Sequence, residues 1–396
     1  YLKYKVRGDE NLNTEGDENF YYTEHPSRNI DIYSAKVDFE FPFSKGKTTF
    51  GTSYSYTNTD SRAEYEQLSL SRNLNDHFVY KEDVAGIYAD ADYRFSKCFE
   101  GKLGLRGEYG YTNGQSFVTN TKETANRFDL FPTAYLSYSW SEDNVLSLSA
   151  SGRIMRPEYS DMDPFVYYID AHHMTTGNPR LQPEKSYNLD LGYSYKNLSF
   201  TGSYMLHNRV IGEVTVINQN ARMTNETVDN MMRTRMLSFD VSYYFDRLSW
   251  FDCNFDGEIY HYFSKSYGQT YTDKTHQNSV FLYLDNNIYF NRSKTFMCNF
   301  WLQYNSKQND VEGEQVGWFR MDLGLKYKLL KKKLSLGVDI MNLACTPMKS
   351  KVVDEDNVKR EDPYIYRIFK FSLAYNFGKR TDNKGEKSNQ KLLDRL

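Results

Sequence analysis

The sequence predicts an all-β protein, specifically a transmembrane, antiparallel, up-and-down β-barrel. Three observations predict it: period-two alternation of apolar and polar residues in segment after segment, a regular exchange of short and long connections, and an aromatic content that an otherwise polar chain must place somewhere. The chain has 396 residues, of which 39% are hydrophobic and 16% aromatic, with 35 tyrosines and 26 phenylalanines. Its mean hydropathy of −0.73 suits such a barrel, because only alternate residues of each strand face lipid. No window holds the roughly 18 consecutive apolar residues of a membrane helix. A net charge of −3 and a pI near 6.2 give no basic face for nucleic acid. The four cysteines, Cys98, Cys253, Cys298 and Cys345, are too far apart for a CxxC pair, so neither a zinc site nor a redox dithiol follows from their spacing.

The first alternating segment is "YLKYKVR", residues 1–7, which ends at Gly8. At seven residues it is shorter than the about 9–11 that a tilted spanning strand needs, so the first strand is expected to lack its beginning. The opening "YLKYKVRGDE" has no initiator Met and no apolar signal segment, and the expectation is a mature or truncated chain. Tight turns follow near 44–46, 96–98, 141–144, 196–197, 246–248, 291–294 and 330–333. Long polar connections fall around 8–28, 57–80, 112–126, 157–185, 217–235, 265–277, 305–317 and 345–364. The segments between them include "LSLSASGRI" (146–154), "FRMDLGLKYKL" (319–329), "LSLGVDIMN" (334–342) and "FKFSLAYNF" (369–377). In the third, Leu334, Leu336, Val338 and Ile340 share one face, and Ser335, Gly337 and Asp339 the other.

Alternating short and long ends give two chemically different rims, and counting the segments gives about sixteen strands. A soluble sandwich also alternates, but its strands are usually about 5–6 residues and its turns do not segregate by length. Tyr138 with Trp140, and Tyr375 with Phe377, sit at strand ends as interfacial girdles would.

Family resemblance enters at two places. "GNPRLQPEKSYNLDLGYSY", with Gly177, Asn178, Pro179, Leu181, Pro183 and Glu184 at fixed spacing before an alternating strand, resembles the GNP-x-L-x-PE loop of TonB-dependent outer-membrane receptor barrels. The upstream "RIMRPEYSDMDPF" (153–165) is similar to the strand exit into that loop in the outer-membrane barrel family of Bacteroidota. Phe369, Phe371, Leu373, Tyr375 and Phe377 on one face resemble the C-terminal signal read by the barrel-insertion machinery, with the departure that "GKRTDNKGEKSNQKLLDRL" follows.

The resemblance implies an outer-membrane receptor that imports a scarce nutrient through a plugged barrel of about 22 strands. It implies outer-membrane lipid, an inner-membrane energy-coupling TonB complex engaged through an N-terminal region, and a surface lipoprotein as partners. Residues 1–378 would then be the C-terminal part of the barrel and 379–396 a polar periplasmic tail. A passive porin of about sixteen strands and a scaffold within an envelope complex are the competing classes.

Candidate sites follow from the same features. A Gly/Pro-rich connection folds into a defined loop without helix or sheet, and can brace the rim or close over a ligand. Its candidates are Tyr167, Tyr168, His172, His173, Gly177, Asn178, Pro179, Pro183 and Glu184. Asp170, His172 and His173 lie close in sequence, but adjacent histidines on an extended chain point apart, so no metal site is expected. Strand parity puts Lys102, Arg106, Glu108, Arg153 and Asp190 in the lumen as a hydrated charge network. With no GxSxG, P-loop, HExxH or Rossmann fingerprint, neither an enzyme nor a cofactor is expected.

The two rims can be told apart on intact cells. Cysteines introduced at Asn178 and Lys332 are expected to differ toward an impermeant thiol reagent, the first labelled and the second protected. Equal labelling would contradict the placement of long loops outside and short turns inside.

Overall fold

The computed structural model describes residues 2–7, 10–14, 20–67, 72–117, 120–170, 172–218, 222–267, 274–309, 313–346, 349–352, 359–361 and 367–377. In chain order the strands are β1 (Leu2–Arg7), β2 (Glu10–Thr14), β3 (Phe20–Phe43), β4 (Gly46–Gln67), β5 (Arg72–Arg94), β6 (Phe99–Ser116), β7 (Thr121–Ser141) and β8 (Asn144–Met155). There follow β9 (Val166–Tyr168), β10 (His173–Thr176), β11 (Glu184–Tyr195), β12 (Leu198–Asn218), β13 (Met223–Leu248), β14 (Phe251–Ser266), β15 (Lys274–Tyr289) and β16 (Phe296–Asn305). The last are β17 (Gln308–Asn309), β18 (Gly313–Gln315), β19 (Trp318–Leu329), β20 (Leu334–Cys345), β21 (Lys349–Val352), β22 (Lys359–Glu361) and β23 (Ile368–Tyr375).

Nineteen of these form one sheet, and β17, β18, β21 and β22 form a separate four-stranded sheet. In the large sheet β9 and β10 are a hairpin within a loop, while β1 and β2 continue one another along β3. That leaves about sixteen antiparallel traversals, as the sequence pattern predicts.

One rim carries the short turns, and a belt of aromatic rings runs along it. Phe43 meets Tyr93 at 6.1 Å, Tyr93 meets Phe95 at 4.9 Å, and Phe95 meets Phe99 at 4.8 Å. The belt continues through Tyr138 and Trp140 to Tyr193, which stacks on Trp140 at 5.7 Å. Farther on, Phe245 meets Phe251 and Phe296 meets Tyr327. Tyrosine and tryptophan rings at a membrane–water interface place the apolar ring body toward lipid and the polar atom toward water.

The first long hairpins exchange their faces partway up. Toward the turn, the outer face of β3 carries Val37, Phe39, Phe41 and Phe43, all exposed, and the inner face carries Lys36, Asp38 and Glu40. Above Tyr33 the outer face becomes Ser27, Asn29 and Asp31, while the inner residues Ile30 and Ile32 are each only 1% exposed. The boundary crosses to Tyr56 on β4, paired with Tyr33, and to Asp83 on β5, paired with Tyr56. From Phe43 to Tyr33 is roughly ten residues, about 33 Å along the strand and about 23 Å across a bilayer at a tilt of about 45°, which matches the apolar band of an outer-membrane barrel.

This exchange corrects the expected element boundaries. Much of the polar sequence at 20–28, 57–67, 72–80, 112–116, 121–126 and 223–235 is strand. Polar side chains do not end an antiparallel ladder, because each backbone group stays bonded to its neighbour and water solvates an outer face that lipid no longer touches. The turn expected near 246–248 lies at 249–250, where β13 has run on to Leu248. The expected tail at 379–396 lies outside the described residues.

β23 pairs with β20 on one edge, and no partner lies on its other edge among the described residues. Phe369, Phe371, Leu373, Tyr375 and Phe377 are all exposed on the outer face. At the opposite end, β1 covers β3 only as far as Ile32, so β3 below that point has β4 alone beside it. The large sheet is therefore open among the described residues.

Val338 pairs with outward Leu325 and Phe371, whereas Asp339 faces inward opposite Gly324 and Lys370. Val338→Arg is expected to cost about 2–4 kcal/mol in bilayer folding titrations, and Asp339→Arg under about 1 kcal/mol. Equal costs would contradict the assignment of faces.

Candidate functional site

The connection from β8 to β11, residues 156–183, turns inward across the inner face of the sheet at the rim opposite the short turns. It reaches neighbours on both sides. On one side Tyr159, Met162, Phe165 and Leu181 pack with Ile30 and Ile32 of β3, Ala63 of β4, and Phe78 and Tyr80 of β5. On the other, β10 pairs in parallel with β13, His173 against Thr224 through Thr176 against Thr227. The segment thus spans from β3 to β13 as a cross-brace, and the small inward residues Thr57, Thr59, Ser61 and Ala63 of β4 give it room.

The Gly-Asn-Pro motif makes the close contacts of this brace. Gly177 donates its N–H to Asp163 O at 3.0 Å, and Asn178 donates its N–H to Asp161 O at 2.6 Å. A Cβ at Gly177 would lie 2.3 Å from Asp163 O and 2.6 Å from Asp161 O, so only glycine admits that approach. Asn178 Oδ1 accepts the Arg180 N–H at 3.0 Å, closing the turn, while its Nδ2 donates to Val228 O at 3.1 Å and to Asp229 at 3.2 Å. Pro179 is half-buried and Pro183 buried.

Glu184 is 3% exposed and fixes a bulge in β12. Its Oε2 lies 2.8 Å from His207 Nε2, and its Oε1 accepts the Ile211 N–H at 2.5 Å. Between them the β12–β13 register shifts and Arg209 adopts a φ of 58°. Asn230 completes the stitch, donating to Arg209 O at 2.9 Å and to Gln182 O at 2.8 Å while accepting the Gln182 N–H at 2.8 Å. Bulges re-aim side chains at barrel rims, and here one lets the terminus of the brace enter β11.

The buried charge of the brace is Asp163, whose Oδ2 lies 3.0 Å from Arg28 Nη2. Burial pushes the Asp163 carboxyl up to about 6, and Arg28 acts in the opposite direction. Burial also raises Asp161, with Glu158 adding to it.

The other candidate residues divide by place. Tyr167 and Tyr168 pack on the apolar cluster, so they belong to the brace. His172 is exposed, with its N–H donated to Asp170 Oδ1 at 2.7 Å, and His173 lies 3.0 Å from Glu226. The two imidazoles therefore have separate surroundings, and no cluster of three or more metal-ligating side chains occurs among the described residues.

On the inner wall, Lys102 lies 3.2 Å from Asp90 and 3.7 Å from Asp92, and Asp190 accepts from Ser149 Oγ at 3.0 Å. Arg106 binds Glu108, which also meets Arg156 at 2.6 Å, and Arg156 lies 3.6 Å from Glu82. Lys185 pairs closely with Asp129. Arg153 shares the inward parity, opposite Ser186, and is exposed. Sequence reasoning missed Arg28, Glu82, Arg156, Asp163 and His207. The run of alternating small residues from Thr57 to Ala63 was the available sign that something packs against β4.

Fold and site together define an outer-membrane β-barrel whose mouth is crossed by an inward-folded loop. The chain belongs to the outer membrane protein beta-barrel family, whose model matches residues 1–375, and its place is the bacterial outer membrane. No curated protein matches it in sequence.

Among solved structures it is similar to the copper transporter OprC, at 10% identity and a TM-score of 0.62, covering 91% of this chain and 61% of that one. It is similar to the ferric citrate transporter FecA in the unliganded form, at 13% identity and a TM-score of 0.62, covering 95% and 58%. The ferric yersiniabactin uptake receptor FyuA from Yersinia pestis matches at 12% identity and a TM-score of 0.57, covering 88% and 53%. These neighbours are TonB-dependent receptors, and the likeness is one of fold. The chain spans between 53% and 61% of their lengths.

Gly177→Ala is expected to destabilise the docked brace by about 1–3 kcal/mol, the usual cost of overpacking. Limited proteolysis is expected to nick 157–183 in that variant while the strands stay resistant. Gly202→Ala, whose Cβ would meet nothing within 4 Å, is the silent control. Equal nicking of both variants would contradict the close approach.

Docking also depends on pH. Because the docked Asp163 carboxyl titrates near 6 and the free one near 3.8, the docked loop holds a proton that the free loop releases. Docking is therefore strongest below about pH 4, weakens as the pH rises to about 6, and is level above. Distances between spin labels at Arg180 and Glu64 are expected to show more undocked loop at pH 7 than at pH 4.5, and Asp163→Asn is expected to shrink the difference to what Asp161 contributes. The opposite trend would contradict the burial of that carboxyl.

Proposed function

We propose that this chain is the C-terminal part of the barrel of a TonB-dependent outer-membrane receptor, of the form found in Bacteroidota, that imports a scarce nutrient. The observation that carries the reading is the open sheet. β23 and the lower half of β3 each have a bare edge among the described residues, and an unpaired edge in lipid leaves a row of backbone groups unsatisfied. Further strands, from the same polypeptide or another chain, join the two edges and widen the barrel toward about 22 strands. A barrel of that width needs a plug to hold the permeability barrier. The TonB complex supplies energy through the N-terminal region, and a surface lipoprotein caps the mouth.

Within this reading the brace supports a ligand surface at the mouth. Gly177, Asn178, Pro183 and Glu184 are spent on holding the loop, so Asn178 is a poorer labelling site than exposed Arg180. His172 and Arg180, both exposed, remain to meet a ligand at the mouth. The class of nutrient is read by uptake in cells that express the complete receptor containing this chain, tested on a ferric siderophore, an oligosaccharide, a peptide and a vitamin. Uptake of one of them is expected to stop when a protonophore collapses the inner-membrane gradient. Uptake that continues without energy would identify a passive porin, and recovery of a stable envelope complex with no uptake would identify a scaffold.

A further inference from the structure

The outer face of β13–β15 carries an unusual arrangement at the edge of the apolar band. Leu237, Phe239 and Ile259 face outward and are exposed, as lipid-facing residues should be. Arg235, His261 and Asn278 each stand roughly ten residues above the outward Phe245, Phe251 and Ile288, the same span that separates Tyr33 from Phe43 and so reaches the top of the band.

The rows above are cationic. Arg235, Phe263 and His276 form one cross-strand row, and Arg233, Lys265 and Lys274 form the next, with Arg233 directly opposite Lys265 and Lys265 directly opposite Lys274. Arg235, Lys265, Lys274 and His276 are exposed.

Like charges directly opposite in adjacent strands destabilise a sheet. None of these four Arg and Lys side chains pairs with a carboxylate among the described residues, and Arg233 Nε is buried with no hydrogen-bond partner. On the hairpins at the other end of the sheet, cations of the same outer rim do face acids. Lys3 lies 4.0 Å from Asp31, and Arg62 lies 3.0 Å from Asp60. The row on β13–β15 thus carries repulsion that a ligand anion would relieve, in continuity with a surface that already meets lipid.

We propose that Arg233, Arg235, Lys265 and Lys274 bind the phosphate groups of a phosphorylated outer-leaflet lipid, whose acyl chains lie along Leu237, Phe239 and Ile259. Basic side chains at a membrane surface attract anionic headgroups, and their alkyl stems cover the apolar surface below. The assignment rests on the long hairpins facing outward, but not on transport, so its test does not require a known nutrient.

The full chain, purified in detergent, is titrated with micelles carrying a diphosphorylated glycolipid, with micelles of the same lipid dephosphorylated, and with inorganic phosphate. Saturable binding of the phosphorylated lipid alone is expected, weakened by salt and at least tenfold weaker in the variant R233Q/K265Q/K274Q. K331Q/K332Q/K333Q, on the opposite rim, is expected to bind like the parent. Should the triple variant fail to fold, Lys265→Glu places a carboxylate between Arg233 and Lys274, and it is expected to raise thermal stability while abolishing lipid binding. Unchanged binding in the variants, equal binding of the dephosphorylated lipid, or saturation by inorganic phosphate would each overturn the assignment.

Discussion

Lipid offers a backbone N–H or C=O no hydrogen-bond partner, and this fold follows from that constraint. Each spanning strand must be bonded along both edges, so the chain runs up and down against its own neighbours and turns tightly where it re-enters water. The same ladder carries on past the bilayer at no added backbone cost, which is why β3, β4, β5 and β13 exceed the length that lipid requires. What changes at the bilayer surface is the solvent on each face. Below Tyr33 the outside meets lipid and the inside water; above it the outside meets water and the inside meets the loop.

That exchange of faces creates the seat for the brace. Once Ile30, Ile32, Phe78 and Tyr80 point inward above the apolar band, they need cover, and Tyr159, Met162, Phe165 and Leu181 supply it. Each such burial is worth about 1.5–3 kcal/mol, so apolar contact outweighs the single buried ion pair in holding the loop. The Arg28–Asp163 pair sets where the loop docks: with its charges desolvated it adds little net stability, yet removing Arg28 alone would strand a buried carboxylate. A loop held this way partitions the mouth while docked, with His172 and Arg180 left exposed on it.

The sequence displayed the spanning half of each strand well, because apolar residues there recur with period two against charged ones, as in β19 and β20. It hid the upper halves. Residues such as Asn58, Asp60 and Arg62 read as loop because their outward positions are polar, and the inward Thr57, Thr59 and Ser61 are polar too. Their burial becomes visible only when a loop distant in sequence is laid over them. The Gly-Asn-Pro-Glu spacing marked a special loop, but its purpose depends on Asp163, His207 and the bulge at Arg209, which only the folded chain brings together. The cationic row at Arg233, Lys265 and Lys274 was likewise invisible, since each cation is unremarkable until register aligns them.

The exchange of faces along β3 is open to direct measurement by spin labels placed singly from 27 to 43 and read for collision with oxygen and with a polar nickel chelate in bilayers. Outward labels at 37, 39, 41 and 43 should favour oxygen, and those at 27, 29 and 31 the chelate. Inward labels at 34, 36 and 38 should meet the chelate, and those at 30 and 32 neither reagent, because the loop covers them. Accessibility that keeps one phase along the whole strand, with 30 and 32 open to the chelate, would contradict both the level of the membrane boundary and the seating of the brace.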